Sequence, residues 1–368
     1  MVVASTVFAA GAAWLGVTWI GFPAWLGLRA RFAPRPVVPA VPSGSAPSVT
    51  VVCVVRNAEA AVDARMAELR RLCVDGEASG AVDVVMVDDG STDTTAARVA
   101  AFAAEWPAME LVRQAHLGKV AGLRAGAERA RGDVLVFCDV RQRIPVGALA
   151  ALLRPFADPA VGAVSGLVDE PVGEGSGLYR RYENWIRTAE SRSGSTIGAA
   201  GAWHALRAEL FRPPPDGLIL DDVWLPMAVV LAGYRAVVAE DARLREVAHA
   251  LKDDRRRKAR TLAGNLQLVE RMPALLNPRA NPVWARFVGH KLLRLGSPWA
   301  LAAVAGASLI GALTPGPAQP IWALVVAAEV AVVLAAKLGW GPARAALELH
   351  GAAAEAWWRW LRRDFRWS

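Results

Sequence analysis

The stretch VMVDDGSTDTT, residues 85–95, carries an apolar, strand-like run directly into two aspartates, a glycine and a serine. Two more apolar runs of strand length, residues 49–55 and 133–138, lie before and after it in the chain. Helix-like segments at residues 58–72 and 94–104 separate these runs. Buried continuous strands that alternate with helices form mainly parallel sheets, so the sequence predicts an α/β fold.

Polar residues follow the carboxyl end of each predicted strand. They are Asn57 and Glu59 after the first, Asp88 and Asp89 after the second (81–87), and Asp139 and Arg141 after the third. In parallel sheets ligands bind at this edge. Carboxylates there can accept hydrogen bonds from a base or ribose, or hold a hard divalent cation that bridges a diphosphate. One Asp-Asp-Gly-Ser turn is an ordinary turn or helix cap, but three polar strand ends in succession indicate a ligand site.

Charge and composition narrow the class of protein. The chain has 368 residues, a net charge of +8, 54% hydrophobic residues and 15 tryptophans. Many basic residues and tryptophans flank apolar runs, which favours a membrane surface over nucleic acid as the partner. The three cysteines are unevenly spaced and form no CxxC pair. This spacing argues against a disulfide framework and a cysteine zinc site, and it suits a reducing compartment.

Residues 1–29 form a predicted membrane anchor. No charged residue precedes Arg29 in this apolar run, which is long enough to span a bilayer as a helix. Arg31 and Arg35 add positive charge after the run, so the positive-inside rule places the next domain in the cytosol. A cleavable signal peptide is the competing interpretation, but the charged region that begins such peptides is missing. A proline-rich, extended linker is predicted over 30–47.

Four segments are predicted after the linker. They are a cytosolic α/β domain (48–276), an amphipathic interface helix (277–297), a transmembrane hairpin (298–340) and a basic, tryptophan-rich cytosolic C-terminal helix (341–368). The topology is then that of a multi-pass protein of the cell (inner or plasma) membrane, with three spans and the C-terminus in the cytosol. The alternative for the hairpin is a pair of buried helices in a soluble domain.

Seven segments carry a resemblance to a known family. They are VVRNAEA (54–60), VMVDDGSTDTT (85–95), HLGKVAGLRAGAERARGD (116–133), DVLVFCDVRQ (133–142), GAAGAWHALRAELF (198–211), LILDDVWLPM (218–227) and RRRKARTLAGN (255–265). Together they resemble the family 2 glycosyltransferases, especially the membrane-embedded branch that includes cellulose, hyaluronan and poly-N-acetylglucosamine synthases. The resemblance covers residues 49–298 and implies the GT-A fold, a Rossmann-like, mainly parallel α/β sheet, here with flanking transmembrane helices.

The resemblance implies a role for each matched residue. Asp222 would be the general base for the acceptor hydroxyl, with Asp221 beside it, and Arg260 would stabilise the leaving diphosphate. Asp139 would bind a divalent metal, Mn²⁺ or Mg²⁺. The nucleotide-sugar would contact Asn57, Glu59, Asp88, Asp89, Lys119, Asp139, Arg141 and Arg257, and the acceptor would contact Gly201, Trp203 and His204.

Plainer interpretations of the same residues remain open at this point. Asp221 and Asp222 are adjacent and would also suit the start of a helix as a capping pair. Lys119 would also suit a solvated surface position. Trp203 and His204 would equally well form a packed pair in the core.

The activity implied is that of an inverting glycosyltransferase, which moves a sugar from a nucleotide-sugar, with UDP the expected nucleotide, to a membrane-associated saccharide or lipid. Arg141 stands where the family's second Asp-x-Asp acid is usual, and Thr261 where tryptophan is frequent. Two alternatives stay open: a single-sugar transferase to polyprenyl phosphate or another lipid, and a catalytically inactive nucleotide-sugar-binding scaffold. Three spans are few for a tunnel in one chain, so polymer export would need a homo-oligomer or a partner.

Overall fold

A computed structural model gives the architecture over residues 1–39, 46–74, 78, 80–169, 177–246 and 254–363. Part of the predicted linker (40–45) and the end of the basic C-terminal segment (364–368) lie outside these described residues. The chain divides into two compact units, each described separately below. The α/β unit comprises Arg29–His249 and Arg279–Val283, and the helical unit comprises Met1–Leu28, Ala250–Pro278 and Trp284–Ser368.

The α/β unit is built on one sheet of seven strands. They are β1 (Val49–Val55), β2 (Val82–Asp89), β3 (Met109–Gln114), β4 (Val134–Cys138), β5 (Val161–Asp169), β6 (Trp203–Arg207) and β7 (Arg235–Arg245). Their order in the sheet is β3-β2-β1-β4-β6-β5-β7. All pairings are parallel except those of β6, which runs antiparallel to both β4 and β5. The predicted mainly parallel Rossmann-like sheet is confirmed.

Helices cover the sheet and form the helical unit. The described helices are α1 (Val2–Phe32), α2 (Val62–Val74), α3 (Thr95–Glu105), α4 (Lys119–Arg129), α5 (Ala148–Leu153), α6 (Gly177–Arg192), α7 (Asp221–Leu231), α8 (Asp254–Arg271), α9 (Trp284–Leu313), α10 (Gln319–Lys337) and α11 (Gly341–Leu361). All five residues of β4 and nearly all of β1 are buried. Burial on both faces explains why these strands appear in the sequence as continuous apolar runs.

The strand order sets the position of a cleft. The chain proceeds from β1 to β2 and β3 on one side and then returns to β4 on the other side of β1. Such a reversal opens a crevice beyond the carboxyl ends of the two central strands, here β1 and β4. Because β6 is antiparallel to β4, with Trp203 opposite Cys138, β6 begins at this edge. The edge therefore receives both the ends of the parallel strands and the turn that precedes β6.

Two element bounds differ from the sequence prediction. Strand β2 continues through Asp89, because Asp88 and Asp89 still pair with Arg113 and Gln114 of β3. The two aspartates therefore end the strand and do not follow it. Helix α2 begins at Val62 and not at residue 58 as predicted, because residues 58–61 form a turn. In this turn the Ala61 N–H donates to the Ala58 carbonyl at 2.9 Å.

Among the described residues, three helices are long and apolar enough to cross a membrane: Val2–Phe32, Trp284–Leu313 and Gln319–Lys337. Helix α9 is continuous, which corrects the predicted boundary between an interface helix ending at 297 and a span starting at 298. Pro298 lies inside the helix without ending it. Within the helical unit α1 packs closely on α9, because Gly296 leaves room for Trp14, whose indole N–H donates to the Leu293 carbonyl at 3.0 Å.

Helix α8 belongs to the helical unit, so the units do not divide at the predicted boundary of 276. Its buried Ala259 and Ala263 pack against Ala352 and Ala356 of α11, with Leu295 of α9 completing the cluster. Small side chains allow these helices to approach closely. The predicted boundary at 276 differs from the observed one because alanines join α8 to α11. The many basic residues of α8 gave no indication of this contact in the sequence.

Candidate active site

The Asp89 carboxylate fixes the loop that leads from β3 into α4. Its Oδ1 accepts hydrogen bonds from Gln114 Nε2 at 2.7 Å and the Leu117 N–H at 2.8 Å, and its Oδ2 accepts from the Gly118 N–H at 3.0 Å. His116 Nδ1 lies 2.9 Å from Oδ2. Burial alone would raise the pKa of this carboxyl, but these hydrogen bonds outweigh it and hold the pKa below its usual value. Protein donors contact both oxygens, so Asp89 holds this loop, and its direct nucleotide contact stays a prediction.

Asp88 differs from its neighbour in how its carboxylate is used. Asp88 is only 4% exposed. Among its described hydrogen bonds are two long ones, from the Ser91 N–H to its two carboxylate oxygens at 3.3 and 3.4 Å. Its oxygens keep acceptor capacity, as contact with a base or ribose requires. The nucleotide role of Asp88 stays a prediction.

Asn57 and Glu59 join the loop after β1 to the loop after β2. Asn57 Oδ1 accepts from the Thr92 N–H at 2.8 Å, and the Asn57 N–H donates to Ser91 Oγ at 3.1 Å. Glu59 Oε2 accepts from the Thr94 hydroxyl at 2.9 Å. Asn57 has φ +47°, a left-handed conformation that asparagine tolerates better than most residues. These two side chains shape the cleft floor, and their contact with a nucleotide-sugar stays a prediction.

Lys119 lies at the centre of the cluster. Its Nζ is 3.2 Å from Asp139 Oδ1, 3.3 Å from Asp221 Oδ2 and 3.4 Å from the Gly201 carbonyl oxygen. Burial would lower the pKa of this ammonium, but the carboxylates of Asp139, Asp221 and Asp222 raise it well above its usual value. The side chain is 24% exposed. Lys119 is therefore not the freely solvated surface lysine of the alternative interpretation, but a partly buried cation among acids.

Asp221 and Asp222 occupy the first turn of α7. Asp221 is 6% exposed and forms the ion pair with Lys119. The Asp222 backbone carbonyl accepts from the Ala199 N–H at 2.7 Å, and its side chain is half-buried. Acids in the first turn are also favoured by the helix dipole. The ion pair to Lys119 shows that the pair does more than begin a helix.

Gly201 brings the turn before β6 against Asp222. A β-carbon placed on Gly201 would lie 3.4 Å from both Cβ and Oδ2 of Asp222. On the other side of this turn, the Asp139 N–H donates to the Ala202 carbonyl at 3.3 Å. The structure therefore brings together Lys119, Asp139, Asp221, Asp222 and Gly201 at the carboxyl edge of the sheet.

Trp203 and His204 are buried in the core, which corrects their predicted acceptor role, although the charges of Asp221, Lys119 and Asp139 act on the His204 imidazole. Trp203 is fully buried, and its ring fills the space beside Gly166. His204 is 2% exposed and stacks on Phe137 with ring centroids 5.2 Å apart. Burial lowers the pKa of its imidazole to about 4. The structure contains the alternative in which both residues pack in the core. Their side chains point to opposite faces of β6, and both faces are buried.

Three predicted arginines belong to other elements than those that form the cluster. Arg141 is exposed in the loop after β4. Arg257 and Arg260 belong to α8 of the helical unit. Their phosphate contacts stay predictions.

Asp139 is the carboxylate that suits a divalent cation. It ends β4, its side chain is 33% exposed, and one oxygen faces Lys119. Within the described residues no group of three or more histidine, cysteine, aspartate or glutamate side chains could hold a metal ion. Hard cations take six or more oxygen ligands. The residues present therefore fit a cation only when a diphosphate and water supply the remaining oxygens.

Sequence reasoning missed the residues that support the cluster from behind. Gln114 and His116 hold Asp89, and buried Arg65 of α2 donates to the backbone carbonyl of Gln142. A detectable signal was the arginine at a core-facing position of an amphipathic helix, since isolated buried cations are rare.

Comparison with known proteins identifies the fold. The family model described as glycosyl transferase family 2 matches residues 50–212. The matched segment lies within the α/β unit and covers less than half of the 368 residues. The match contains β1 to β6 and the Asp88, Lys119 and Asp139 positions described above. The more specific synthase branch suggested by the sequence stays a prediction. No curated protein matches the chain.

Solved glycosyltransferase structures match this chain to different extents, and the first of the three below shares its fold. A mannosyltransferase from Pyrobaculum calidifontis, in complex with GDP-Man and Mn²⁺, superposes with a TM-score of 0.76 at 24% identity over 97% of this chain and 99% of that one. Mannosyl-3-phosphoglycerate synthase from Rubrobacter xylanophilus gives 0.43 at 17% identity over 67% and 77%. Glucosyl-3-phosphoglycerate synthase from Mycobacterium tuberculosis gives 0.44 at 17% identity over 67% and 82%. The first match covers the helical unit as well as the α/β unit.

Proposed function

We propose that the protein is an inverting glycosyltransferase that moves a sugar from a nucleotide-sugar to a hydroxyl of a membrane-associated lipid or saccharide. The observation that carries the proposal is the Lys119 ammonium, held 3.2 Å from Asp139 and 3.3 Å from Asp221 beside Asp222. A cation fixed among carboxylates at the switch-point edge of this fold suits a diphosphate on one side and an acceptor hydroxyl on the other.

Asp222 is the proposed general base. It takes the proton of the acceptor hydroxyl as that oxygen attacks the anomeric carbon from the face opposite the leaving group. The new carbon–oxygen bond forms while the bond from the anomeric carbon to the diphosphate oxygen breaks, so the configuration inverts. The nucleoside diphosphate leaves with both electrons of that bond. Lys119 stabilises the growing negative charge on the diphosphate, and Arg141, Arg257 and Arg260 are further proposed phosphate contacts.

A divalent cation, Mn²⁺ or Mg²⁺, is a proposed cofactor. Asp139 would hold it together with the donor diphosphate, and when bound it would neutralise charge on the leaving group. Support comes from the Pyrobaculum calidifontis mannosyltransferase, which was solved with Mn²⁺. Arg141 at the second acidic position leaves the protein's own ligand set weak, so the affinity for metal alone is expected to be low without nucleotide.

The donor nucleotide is proposed from the first loops of the domain. Asp88 retains acceptor capacity at the end of β2, and a carboxylate there can pair with a base N–H or a ribose hydroxyl. UDP is the nucleotide expected from the sequence, whereas the Pyrobaculum calidifontis mannosyltransferase was solved with GDP-Man. Both uridine and guanosine donors therefore belong in the test.

The acceptor is proposed to lie at a membrane. Three helices are long and apolar enough to span a bilayer, and basic residues Arg29 and Arg31 occupy the last turn of α1. The positive-inside rule then puts the catalytic domain at the cytosolic face of the cell membrane. Two reactions are possible at this surface, and they differ in product length. One is the transfer of a single sugar to polyprenyl phosphate or another lipid. The other is the extension of a saccharide chain, which needs an oligomer or an export partner.

The test is release of nucleoside diphosphate by the full-length protein in nanodiscs. A panel of UDP- and GDP-sugars would be offered with a lipid extract as acceptor source, with Mn²⁺, Mg²⁺ or EDTA. We expect one donor to be hydrolysed or transferred, with at least a hundredfold loss in Asp222→Asn. Asp216→Asn is the matched control, because its side chain is 75% exposed and pairs only with Arg124 among the described contacts. Nucleotide binding without turnover under every condition would favour the inactive scaffold.

A further inference from the structure

The loop after β4 is held by helix α2 from the interior of the α/β unit. Arg65 of α2 is fully buried, and its guanidinium donates to the backbone carbonyl of Gln142. The same guanidinium pairs with Glu68 at 2.9 Å. Arg71, two turns further along α2, donates to the Ile144 carbonyl at 2.8 Å. One face of α2 therefore contacts the loop at two backbone positions directly after Asp139 and Arg141.

The other side of the loop is held by the end of β7. The Gln142 side-chain amide donates to Glu246 Oε1 at 3.0 Å. The backbones of Arg143 and Arg245 exchange two hydrogen bonds of 2.9 and 3.0 Å, an isolated antiparallel bridge. Gln142 is thus fixed by its backbone carbonyl from α2 and by its side chain from β7. Asp139 and Arg141 lie on the short stretch between this fixed point and the end of β4.

Burying an arginine to hold a loop carries a large desolvation free energy. Removing a guanidinium from water costs several kcal/mol before its ion pair and hydrogen bonds offset the loss, and an apolar residue would fill the same space in α2 at lower cost. Arginine supplies what an apolar residue lacks: a planar group that donates a hydrogen bond to a carbonyl while its charge pairs with a carboxylate. Its use here indicates a requirement for a defined loop conformation.

We propose that Arg65 is a positioning residue for donor binding, which sets the conformation of the Asp139–Arg141 loop through the Gln142 carbonyl. The inference rests on the proposed function, because it assumes that this loop binds the diphosphate of the donor. Arg65 touches no substrate. It acts by holding the backbone on which Asp139 and Arg141 are carried, as supporting residues behind a ligand site do elsewhere.

Two variants and one matched control test the inference. Arg65→Met removes both contacts, and Arg65→Lys keeps a donor to the Gln142 carbonyl. Arg207→Met is the control, because Arg207 also holds the fold through backbone carbonyls, those of Val161 and Phe156 at 2.9 Å, at the opposite edge of the sheet. Titration of UDP and GDP with Mn²⁺ and with EDTA gives the affinity, and amide hydrogen exchange over residues 139–145 reports on the loop without ligand.

We expect Arg65→Met to bind nucleoside diphosphate about tenfold more weakly, with Arg65→Lys recovering part of the loss. KM for the donor should rise more than kcat falls. Exchange over residues 139–145 should be faster in ligand-free Arg65→Met, whereas Arg207→Met should lower the thermal midpoint with affinity and loop exchange unchanged. If Arg65→Met is too unstable to purify, Arg65→Lys and Glu68→Gln carry the same comparison.

Loop exchange in the variants at the wild-type rate would overturn the positioning role, whatever the ligand. Faster exchange with unchanged nucleotide affinity would show that the loop moves but does not bind the donor, which also overturns the inference. Failure of the proposed function looks different: the wild-type protein itself would bind neither UDP nor GDP, while loop exchange would still respond to Arg65→Met.

Discussion

Gly201 and the Asp222 carboxylate are in van der Waals proximity: a β-carbon on Gly201 would lie 3.4 Å from Asp222 Oδ2. Gly201 precedes the antiparallel strand β6, and Asp222 lies in the first turn of α7, so two separate elements meet at the proposed base. The absence of a side chain at residue 201 keeps one side of that carboxylate open. In the proposed mechanism an acceptor hydroxyl approaches Asp222 through this opening.

Gly201→Ala is expected to raise the acceptor KM several-fold with little change in stability, because 3.4 Å is an ordinary contact distance for a methyl group. Gly201→Val is expected to abolish transfer, since its γ-carbons would cover the carboxylate. Nucleoside diphosphate affinity should stay at the wild-type value in both. Gly306→Ala is the control, as a β-carbon there meets nothing within 4 Å. Equal loss of donor affinity in the Gly201 variants would place residue 201 at the donor instead.

Lys119→Gln is expected to lower the thermal midpoint, because Asp139 and Asp221 would lose the cation that lies between them. Two carboxylates this close repel each other at neutral pH. Mn²⁺ should restore part of the lost midpoint in the variant and change the wild type less, because it can replace the missing positive charge. Lys337→Gln, an exposed lysine at the end of α10, is the control. A midpoint insensitive to Mn²⁺ in Lys119→Gln would argue against cation binding at Asp139.

Arg141→Asp is expected to increase metal affinity about tenfold, since a second carboxylate two residues after Asp139 adds a ligand for a hard cation. The same change should weaken nucleoside diphosphate binding in EDTA, because an exposed cation suited to phosphate is lost. Calorimetric titration of Mn²⁺ and of UDP measures both effects. Arg131→Asp carries the same charge change on an exposed residue at the other end of β4, and it should leave both affinities as they are.

Asp89→Asn is expected to destabilise the domain by about 1.5–3 kcal/mol at neutral pH, the usual worth of hydrogen bonds to a charged group. Because the folded-state pKa of Asp89 is depressed, its contribution is present above the unfolded pKa of about 3.9 and is lost as the pH falls through the folded value. The midpoints of wild type and variant should therefore converge below about pH 4. A constant difference across that range would show that the charge of Asp89 is not what holds the loop.

The sequence predicted the parallel sheet and the carboxyl-edge cluster for one physical reason. Strands buried on both faces leave continuous apolar runs, and the polar residues that end them, such as Asp88 and Asp139, have to meet at one edge. The direction of β6 was not predictable in the same way, because a five-residue strand carries no signal of whether it runs parallel or antiparallel. That direction decides whether Gly201 lies at the cleft.

The failures of prediction concern residues whose type suits two environments. Trp203 and His204 directly follow the glycine at the site, but β6 is covered on both faces, so its alternate side chains enter the core. Asp88 and Asp89 are adjacent and of the same type, so the sequence does not distinguish them. The structure does, because the donors of the β3–α4 loop bind the Asp89 carboxylate and not that of Asp88. Arg65 was missed because arginine is seldom buried, although its spacing from Val62 and Leu69 places it on the apolar face of α2.

His204→Asn is expected to make the domain less sensitive to acid. The wild-type imidazole has a folded pKa of about 4, below its ordinary value of 6.5, because it is buried. The unfolded chain therefore binds more protons than the folded one between these values, and stability falls as the pH drops through that window. The loss should approach about 3 kcal/mol near pH 4. Asparagine retains a donor for the Ala200 carbonyl, which His204 Nδ1 approaches at 3.2 Å, but it has no titrating group.

Thermal midpoints in detergent between about pH 7 and pH 4.5 measure this effect, with the wild type falling more steeply than the variant. His350→Asn controls for a general effect of removing a histidine, since it lies on α11 of the helical unit. The variant should start lower than the wild type at pH 7, because the smaller side chain leaves a cavity beside Phe137. Parallel curves for wild type and His204→Asn would mean that folding leaves the pKa of His204 unchanged, with the Asp221 and Asp139 carboxylates offsetting the effect of burial.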